Sequence, residues 1–368
     1  MKLLVINTAG LAIGGITTNM YNYLSRIKDK STKIDLVVTV LQDEVSVKRF
    51  QNIGCSLYYL PHRTKKPFLY MYKLYLLCKK NKYDIVHIHG NSHTVVIDLL
   101  PVWIAGCVVR MVHAHNTTCS HVVVHKLLSI PFNLLYTHAL ACGQAAGRLM
   151  FGNKHFTIVN NGVDTDLYKF NSETRDFIRS KHKWDNCRVL GHVGIFLEIK
   201  NQTFIVDVFK ELYQKDNSYR LVLIGEGPMQ NCIRDKVQRL GLSNMVVFTG
   251  NINNVHEYLN AIDLIIMPSL FEGLPLALIE QQTNGLRCVV SDNITCEADK
   301  TESLTFLSLD TPITEWADTI WKITNYSQED RCERSKSNIT KIEQCGYSIL
   351  KEAKKLQTYY RNALKSSQ

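Results

Sequence analysis

The sequence of 368 residues contains no long uninterrupted apolar run. Its longest apolar stretch, Leu99–Val109, is interrupted by Pro101 and is too short to cross a bilayer. The apolar run near the N-terminus is too short for a signal peptide, so we expect Lys2–Asn7 to be a first strand. Fixed-period repeats and low-complexity segments are also missing. These absences argue against a membrane-spanning, secreted or repeat protein.

Cysteines with a regular short spacing are missing as well. The eleven cysteines are an odd number, they are scattered along the chain, and no two have the C-x-x-C spacing. Disulfide frameworks and structural zinc sites both depend on such patterns. We therefore expect reduced thiols and a cytoplasmic protein.

Acidic residues are scarce in one half only. Residues 1–170 hold 19 Lys and Arg against 8 Asp and Glu, whereas residues 171–368 hold 24 against 25. The resulting charges of +11 and −1 add up to the +10 of the whole chain. A basic half is typical of an anionic partner, such as a membrane surface, a lipid-linked diphosphate or a nucleic acid, or of a basic protein with no specific partner. No RNA- or DNA-binding motif accompanies the charge, so nucleic acid is not predicted.

The stretch that best indicates a function is Pro268–Glu280. It follows an apolar run, Asp263–Met267, which is typical of a buried parallel strand. Pro268 breaks that strand, and a helix is predicted to begin near Pro275. The N-terminus of such a helix carries free N–H groups and partial positive charge, so it favours a phosphate.

Two glutamates in this stretch have different positions. Glu272 lies in the loop, and Glu280 lies in the second turn of the predicted helix. A carboxylate accepts hydrogen bonds only, so a pair of hydroxyl groups on a ribose or a sugar ring is a suitable partner. The pattern is that of a nucleotide-sugar site. Spacing alone does not exclude the alternative, an ordinary strand–helix unit with two solvated glutamates.

Strand and helix patterns alternate in two series along the chain, which indicates parallel sheets with helices on both faces. The first series has predicted strands at Lys2–Asn7, Ile34–Val40, Asp84–Ile88, Val108–His113, His138–Cys142 and Phe156–Asn160, and helices at Ile16–Arg26 and Phe68–Lys82. The second has strands at Arg188–Val193, Arg220–Ile224, Met245–Thr249, Asp263–Met267, Arg287–Ser291 and Thr305–Leu307, and helices at Asn201–Tyr213, Met229–Leu240 and Tyr347–Leu364. Ligands of such sheets bind at the carboxyl ends of the strands.

Histidines and glycines follow several of these strands. The chain is predicted to leave a strand between His113 and His115, which frees His115 and leaves His113 packed. His87 and His89 have the same spacing and are predicted to be structural. Nothing in the sequence brings the two pairs together, so no metal site is predicted.

Three further turns fit a phosphate or sugar ligand. The pair Gly14–Gly15 would let backbone N–H groups approach such a ligand, although a plain tight turn is the alternative. Gly194 ends a strand, Lys200 could neutralise a diphosphate, and Asn201 could cap the next helix. The turn Gly225–Gly227 has an equally good structural explanation.

The helix Phe68–Lys80 mixes aromatic residues with lysines. It could lie at a membrane surface, but packing of its Leu and Tyr face on the sheet is the favoured interpretation. Arg63, Lys65 and Lys66 precede it and add some support for the membrane.

The sequence resembles the retaining glycosyltransferases of family 4. Glu272 and Glu280 match the E-x7-E motif of that family, and the likeness extends over nearly the whole chain. It covers Gly14–Gly15, Asp84–His89, Val112–Asn116, Asn160–Asp164, Gly191–Gly194 with Lys200–Asn201, Ile224–Pro228 and Asp263–Asp292. It implies an α/β protein of the GT-B fold, with two Rossmann-like parallel-sheet domains facing each other across a cleft and a C-terminal helix returning to the first domain. The implied domains are residues 1–165, residues 166–345 and a terminal helix in 346–368.

The resemblance also implies the reaction and the residues that carry it. A sugar would pass from a nucleotide-sugar, expected to be a UDP-hexose, to a lipid-linked glycan in the synthesis of a capsular or similar surface polysaccharide. Peripheral contact with the inner face of the cell membrane would fit that acceptor. The residues expected to serve catalysis are His115, Lys200 and Glu272, and those expected to bind the donor are Gly14, Gly15, Gly194, Gly273, Leu274, Pro275 and Glu280. Glu272 would orient the donor sugar and Glu280 would hold the ribose.

The family needs no bound metal or other cofactor. We therefore expect the D-x-D triplet Asp164–Asp166, which matches the N-G-V-D segment of the family, to be structural. The loop Thr249–Val255 is where the family holds the nucleobase, largely through backbone groups. The sequence departs from the family at Ile195, where an arginine is usual, so one cation is missing from the leaving-group site. Two alternatives stay open, a nucleotide-sugar epimerase of similar fold and a catalytically silent protein that binds a sugar nucleotide.

Overall fold

The computed structural model of the chain describes residues 1–11, 14–27, 31–39, 44–119, 122–326 and 330–366. The chain divides into two compact units. Unit 1 comprises Met1–Gly162 together with the segment that begins at Gly346, and unit 2 comprises Val163–Cys345. Unit 2 is therefore inserted between the two segments of unit 1.

Unit 1 is built on a parallel sheet of seven strands in the order β3-β2-β1-β4-β5-β6-β7. Its strands are β1 (Lys2–Asn7), β2 (Lys33–Val38), β3 (Ser56–Tyr59), β4 (Ile85–His89), β5 (Val109–Ala114), β6 (His138–Ala141) and β7 (Thr157–Ile158). Its first seven helices are α1 (Gly15–Ile27), α2 (Glu44–Asn52), α3 (Pro67–Asn81), α4 (Val96–Ile104), α5 (Val122–Leu127), α6 (Ser129–Leu135) and α7 (Gln144–Phe151).

The central strands of unit 1 are buried on both faces, which explains their almost continuous apolar sequence. Leu4, Val86 and Val112 belong to a core covered by α3, α4, α6 and α7. Ile85 and Met111, which point to the opposite face, belong to a second core covered by α1 and α2. The histidines of β4 and β5 lie at odd-numbered positions and therefore on this second face.

Unit 2 repeats the arrangement with six parallel strands in the order β10-β9-β8-β11-β12-β13. The strands are β8 (Arg188–Val193), β9 (Tyr219–Ile224), β10 (Val246–Gly250), β11 (Leu264–Met267), β12 (Arg287–Ser291) and β13 (Leu304–Leu307). The helices are α8 (Ser172–His182), α9 (Gln202–Lys215), α10 (Gln230–Arg239), α11 (Val255–Ala261), α12 (Leu276–Thr283), α13 (Ile313–Tyr326) and α14 (Arg331–Gln344).

The last helix, α15 (Ile349–Lys365), belongs to unit 1 and packs against α1. Ile349, Ala353, Leu356 and Tyr360 recur every three to four residues and are all buried in the second core of unit 1. The expected return of the terminal helix to the first domain is confirmed.

The predicted strands agree closely with the observed ones. Lys2–Asn7, Arg188–Val193 and Arg287–Ser291 are confirmed to the residue, and most other strand ends shift by one or two residues. The predicted strand Ile34–Val40 is observed as β2, and Val40 itself lies outside the described residues. The prediction missed β3 and nine of the described helices, which are α2, α4 to α8, α11, α13 and α14.

No helix in the described ranges combines the length and the apolar character that a bilayer crossing requires. The helix α3 does pack as favoured, with Tyr70, Leu74 and Leu77 buried. Its opposite side nevertheless leaves Phe68 85% exposed. The structure corrects the role given to Arg63, which is buried and pairs with Asp98 under α3 instead of facing outward.

Candidate active site

The loop between β11 and α12 in unit 2 brings together two of the predicted catalytic residues. The Nζ of Lys200 forms an ion pair with Oε1 of Glu272. Ser269 donates a hydrogen bond of 3.0 Å to the same carboxylate oxygen. An isolated parallel β-bridge between Glu272 and Ile294 holds the loop in place. The side chains of Lys200 and Glu272 keep 21% and 13% of their surface exposed, so both remain accessible to a ligand.

The helix α12 begins directly after this loop. Pro275 is its N-cap, and no side chain caps the helix there. The first backbone N–H groups of α12 therefore keep their capacity to bind an anion. A Cβ placed on Gly273 would meet no atom of the described part of the chain within 4 Å, so the backbone there is open to a ligand. The loop Gly273–Pro275 thus has the chemistry expected of a diphosphate site.

Glu280 lies in the second turn of α12, as predicted, but it is more enclosed than a solvated ligand-binding acid. Only 9% of its surface is exposed. Burial raises the pKa of Glu280 to about 7, and a hydrogen bond with Tyr168 opposes that shift. Its charge therefore changes near neutral pH, and hydroxyl donors from a ligand would stabilise the charged form.

The segment between β8 and α9 holds Lys200 in place. The prediction that Asn201 caps α9 is wrong. Asn201 occupies the N-cap position, but its backbone is left-handed and its side chain donates to the carbonyl of Pro268 instead, at 3.2 Å. This bond ties the segment that carries Lys200 to the end of β11, beside the loop of Glu272.

Backbone packing explains the glycines that follow β8 and β9. Gly225 has a φ of +131°, and a Cβ there would lie 2.1 Å from the carbonyl oxygen of Gly194. A Cβ on Gly227 would lie 2.5 Å from the carbonyl oxygen of Phe196. Only glycine allows these two loops to pack so closely. The structural explanation of the Gly225–Gly227 turn therefore holds, and Gly194 belongs to the same contact.

Ile195 follows Gly194 directly and is 39% exposed. Its carbonyl oxygen accepts a hydrogen bond of 3.0 Å from Gln202 Nε2, which fixes the backbone of the loop. The side chain itself is apolar and reaches solvent at the position where the family usually has an arginine. Lys200 is thus the cation that this loop supplies next to Glu272.

In unit 1, the predicted glycine pair lies where β1 leads into α1. Gly15 is the first residue of α1, and Gly14 precedes it. Among the described residues, a Cβ on either glycine would meet no atom within 4 Å, so these residues leave the backbone open on this side. The geometry allows the predicted contact with a phosphate or sugar.

The ends of β4 and β5 bring all four predicted histidines into one cluster. The pairing of His89 with His113 places the two strands in register. The ring of His89 lies 4.3 Å from that of His87, 5.1 Å from that of His113 and 5.0 Å from that of His115. The two pairs therefore converge, although their spacing along the chain did not predict it. β5 ends at Ala114 as predicted, yet the ring of His115 stays with the cluster.

Burial keeps the histidine cluster neutral. It lowers the pKa of His87 to about 3 and that of His115 to about 4, and it lowers the pKa values of His89 and His113 well below the usual range. Ring nitrogens of His87, His89 and His113 lie within 4.8 Å of one another. Nevertheless the ring planes differ by only 13° to 33°. Nearly parallel rings do not aim their lone pairs at one point, so we interpret the cluster as a stack.

Sequence reasoning missed three partners of the site residues. His89 forms a hydrogen bond with His115, Ser269 with Glu272, and Tyr168 with Glu280. Ser269 could have been found from its place at the end of the predicted strand β11. The two others depend on contacts that only the folded chain brings about. The triplet Asp164–Asp166 closes a local turn, in which Asp164 Oδ1 accepts from the backbone N–H of Leu167.

Comparisons with known proteins identify the family of the chain. The family model described as Glycosyl transferases group 1 matches residues 174–328, in unit 2. The chain is 31% identical over 328 residues to a Bacillus subtilis (strain 168) protein named "Putative glycosyltransferase EpsF", covering 85% of each chain. It is also 31% identical over 239 residues, 60% of each chain, to the Escherichia coli "UDP-Gal:alpha-D-GlcNAc-diphosphoundecaprenol alpha-1,3-galactosyltransferase".

A solved structure shows the same fold. The crystal structure of Anabaena Alr3699/HepE in complex with UDP-glucose matches 100% of both chains with a TM-score of 0.79 at 17% sequence identity. The fold is therefore of the GT-B kind, with two Rossmann-like parallel-sheet domains. Together with the long match to the Bacillus relative, the family model shows that the chain belongs to the group 1 glycosyl transferases.

Proposed function

We propose that this protein is a retaining glycosyltransferase that transfers a hexose from a UDP-sugar to a lipid-linked glycan during surface polysaccharide synthesis. The observation that carries the proposal is the Lys200–Glu272 ion pair beside the uncapped N-terminus of α12. The pair places a cation for a leaving diphosphate beside a carboxylate for sugar hydroxyls, each supplied by a different loop of unit 2. The relatives support the substrates, because one carries UDP-glucose and another is named for UDP-Gal and a diphosphoundecaprenol-linked acceptor.

The diphosphate, the ribose and the sugar of the donor each have a partner in unit 2. The diphosphate is bound by the N–H groups at Gly273–Pro275 and by Lys200, since both supply positive charge. The ribose hydroxyls donate to Glu280, and the sugar hydroxyls donate to Glu272. The predicted contacts of His115, Gly14 and Gly15 with the donor remain part of the proposal.

Transfer breaks the bond between the anomeric carbon and the diphosphate oxygen and forms a bond to the acceptor hydroxyl on the same face. The departing phosphate oxygen takes the proton of that hydroxyl. Negative charge grows on the diphosphate as it leaves, so the ammonium of Lys200 and the fixed N–H dipoles of α12 stabilise the transition state more than the ground state. These groups supply the electrostatic stabilisation without a bound metal.

The surface of unit 1 supports a lipid-linked acceptor. Val123, Leu127, Ile130 and Leu134 follow a helical spacing along α5 and α6, and each is 71% to 76% exposed. Residues 99–163 contain four Lys and Arg but no Asp or Glu. An apolar stripe in a segment free of acidic residues fits the surface of an anionic bilayer, which would hold the protein close to its acceptor.

The test is a screen of UDP-sugars for thermal stabilisation, followed by transfer assays with diphosphate-lipid acceptors. We expect Glu272→Ala to abolish transfer while UDP binding stays within a few-fold, and Glu280→Ala to weaken UDP binding. The exposed Glu198, close to Lys200 in the same unit, provides the matched control Glu198→Ala. Wild-type rates in both site variants would contradict the assignment.

A second candidate function is a silent sugar-nucleotide-binding protein, which Ile195 favours because it removes a cation from the leaving-group site. Binding of UDP-sugars without turnover on any acceptor would support it. The substitution Ile195→Arg then separates the two candidates. It should create turnover in a silent protein, whereas in an active enzyme it should change an existing rate.

A further inference from the structure

The histidine stack of unit 1 contains one bond that reaches a predicted catalytic residue. His89 Nδ1 and His115 Nε2 are 2.8 Å apart, which is a hydrogen-bond distance between two imidazoles. His89 is 6% exposed. His113 touches His115 at a similar ring distance of 4.2 Å but forms no hydrogen bond through either ring nitrogen. The nearby backbone of Val159 acts to raise the pKa of His113, but it does not meet the distance and angle limits of a hydrogen bond with either ring nitrogen.

The rest of His115 is also fixed. Its backbone N–H donates to Asn91 Oδ1 at 2.9 Å, and its carbonyl oxygen accepts from Cys142 Sγ at 3.3 Å. With the backbone held on both sides, the orientation of the ring depends on its neighbours in the stack. Because Nε2 is bound to His89, Nδ1 is the ring nitrogen that His115 can offer to a ligand.

The chemistry of the expected ligand indicates which histidine must be the donor. Both rings are neutral, so one must donate and the other must accept. A diphosphate oxygen only accepts hydrogen bonds, so it requires an N–H at Nδ1 of His115, since a lone pair there would face the lone pairs of the oxygen. That leaves Nε2 of His115 as the acceptor and makes His89 the donor.

We propose that His89 is a positioning residue, which donates from Nδ1 to Nε2 of His115 and thereby fixes the His115 tautomer with its proton on Nδ1. The proposal rests on the proposed role of His115 toward the donor. Tyr360 supports the stack from the other end, where its hydroxyl lies 2.6 Å from Nδ1 of His87. The terminal helix α15 thus helps to hold His87 against His89.

The first test is independent of any transfer reaction. Nitrogen NMR of the full-length protein labelled at histidine distinguishes protonated from unprotonated ring nitrogens. We expect His115 to carry its proton on Nδ1, with Nε2 accepting, and we expect the mixed tautomers of a free imidazole in His89→Phe. A proton on Nε2 of His115 in the wild-type protein would overturn the proposal, and so would an unchanged tautomer in His89→Phe.

Kinetics with a matched pair of variants provide the second test. His89→Phe should lower kcat about tenfold, the effect of one lost hydrogen bond, with the KM for the UDP-sugar within twofold. His113→Phe makes the same change in the same stack and should keep kcat within twofold. His89→Asn, whose amide nitrogen replaces the Nδ1 donor, should recover most of the rate. Equal losses in the two Phe variants would show a merely structural role.

A double variant distinguishes failure of this proposal from failure of the proposed function. If His89 acts through His115, adding His89→Phe to His115→Ala should lower the rate by less than twofold. A further tenfold loss would overturn the positioning role. Absence of transfer by the wild-type protein would instead count against the proposed function, while the NMR result would still decide the tautomer.

Discussion

In unit 1, the polar side chains at the ends of β4 and β5 are histidines that burial keeps neutral. In unit 2, the loops after β8 and β11 carry an ammonium and a carboxylate instead, and α12 adds a second carboxylate. The two sheets have the same parallel architecture, so this difference comes from the residues at the strand ends alone. Unit 2 thus offers charged groups for a ligand, whereas the histidines of unit 1 offer neutral hydrogen bonding.

The ion pairs of the two units show the same contrast. Arg63 and Asp98 in unit 1 are 2.7 Å apart with 7% and 0% of their side chains exposed, and Tyr70 also donates to Asp98. Lys200 and Glu272 in unit 2 are less enclosed. A buried pair with additional hydrogen bonds serves the fold, whereas a pair that a ligand can reach serves the site. The predictions below test this division.

Removing the buried cation should have the largest effect. We expect Arg63→Leu to lower the free energy of unfolding by about 3 to 5 kcal/mol, because it leaves Asp98 charged and buried without its partner. Denaturant unfolding measures this loss, and the exposed neighbour Lys65→Leu is the control. Equal stability of the Arg63 and Lys65 variants would refute the structural role of the pair.

The cation of unit 2 should affect the reaction more than the fold. Lys200→Met should lower kcat about 100-fold, or about 2.7 kcal/mol of transition-state stabilisation. Its free energy of unfolding should change by less than about 1 kcal/mol, since the pair is partly exposed. The exposed Lys181→Met in the same unit serves as control. A large loss of stability with unchanged kcat would reverse the assignment.

The apolar stripe of unit 1 should govern attachment to membranes. Replacing both Leu127 and Ile130 with Ser should weaken binding to vesicles of anionic phospholipid by about tenfold or more, since each side chain loses apolar contact with the bilayer. Sedimentation with vesicles measures the change. Phe177→Ser removes a comparably exposed apolar side chain from unit 2 and should leave binding unchanged. Equal effects would show that the protein has no preferred face.

The smallest effect is a pH dependence that comes from Glu280. Burial raises the pKa of Glu280 to about 7. In the proposed function, the ribose hydroxyls donate to the charged form of this carboxylate. UDP affinity should therefore rise a few-fold as pH increases through 7. The free energy of unfolding should change in the opposite direction, because the folded protein favours the neutral carboxyl of Glu280. This contribution to stability is fully present below the usual carboxyl pKa and is lost as pH rises through about 7.

Calorimetric titration of UDP from pH 5.5 to 8.5 measures this dependence. The glutamine of Glu280→Gln cannot ionise, so this variant should lose the pH dependence of UDP affinity. The ionisation of UDP itself affects both proteins equally and therefore cancels when the two are compared. A parallel rise in both proteins would remove Glu280 from the ribose site.

The sequence was informative where function depends on local order along the chain. The strand, loop and helix around Glu272 were predictable because a proline and an apolar run mark their limits. Helices such as α2 and α14 were missed, because they are rich in polar residues and owe their stability to packing of a few apolar positions. The exposed stripe on α5 and α6 was missed for a related reason, since its valines and leucines resemble those of a core.

Contacts between distant residues were not predictable. The convergence of the histidines depends on the register of β4 against β5, and the pairing of Lys200 with Glu272 depends on two loops 72 residues apart. The hydrogen bond between Glu280 and Tyr168 joins two segments of unit 2 that are far apart in the sequence. A single sequence contains no direct record of such pairings.

The position of α15 has a consequence for the order in which the protein matures. A ribosome delivers α15 only after the whole of Val163–Cys345 has been made, yet its residues complete the second core of unit 1. The part of that face that α15 covers stays open while the inserted domain is synthesised and folds, although α1 and α2 are already present. His87 gains its tyrosine neighbour only at this last stage, so the imidazole stack is among the final parts of the molecule to form.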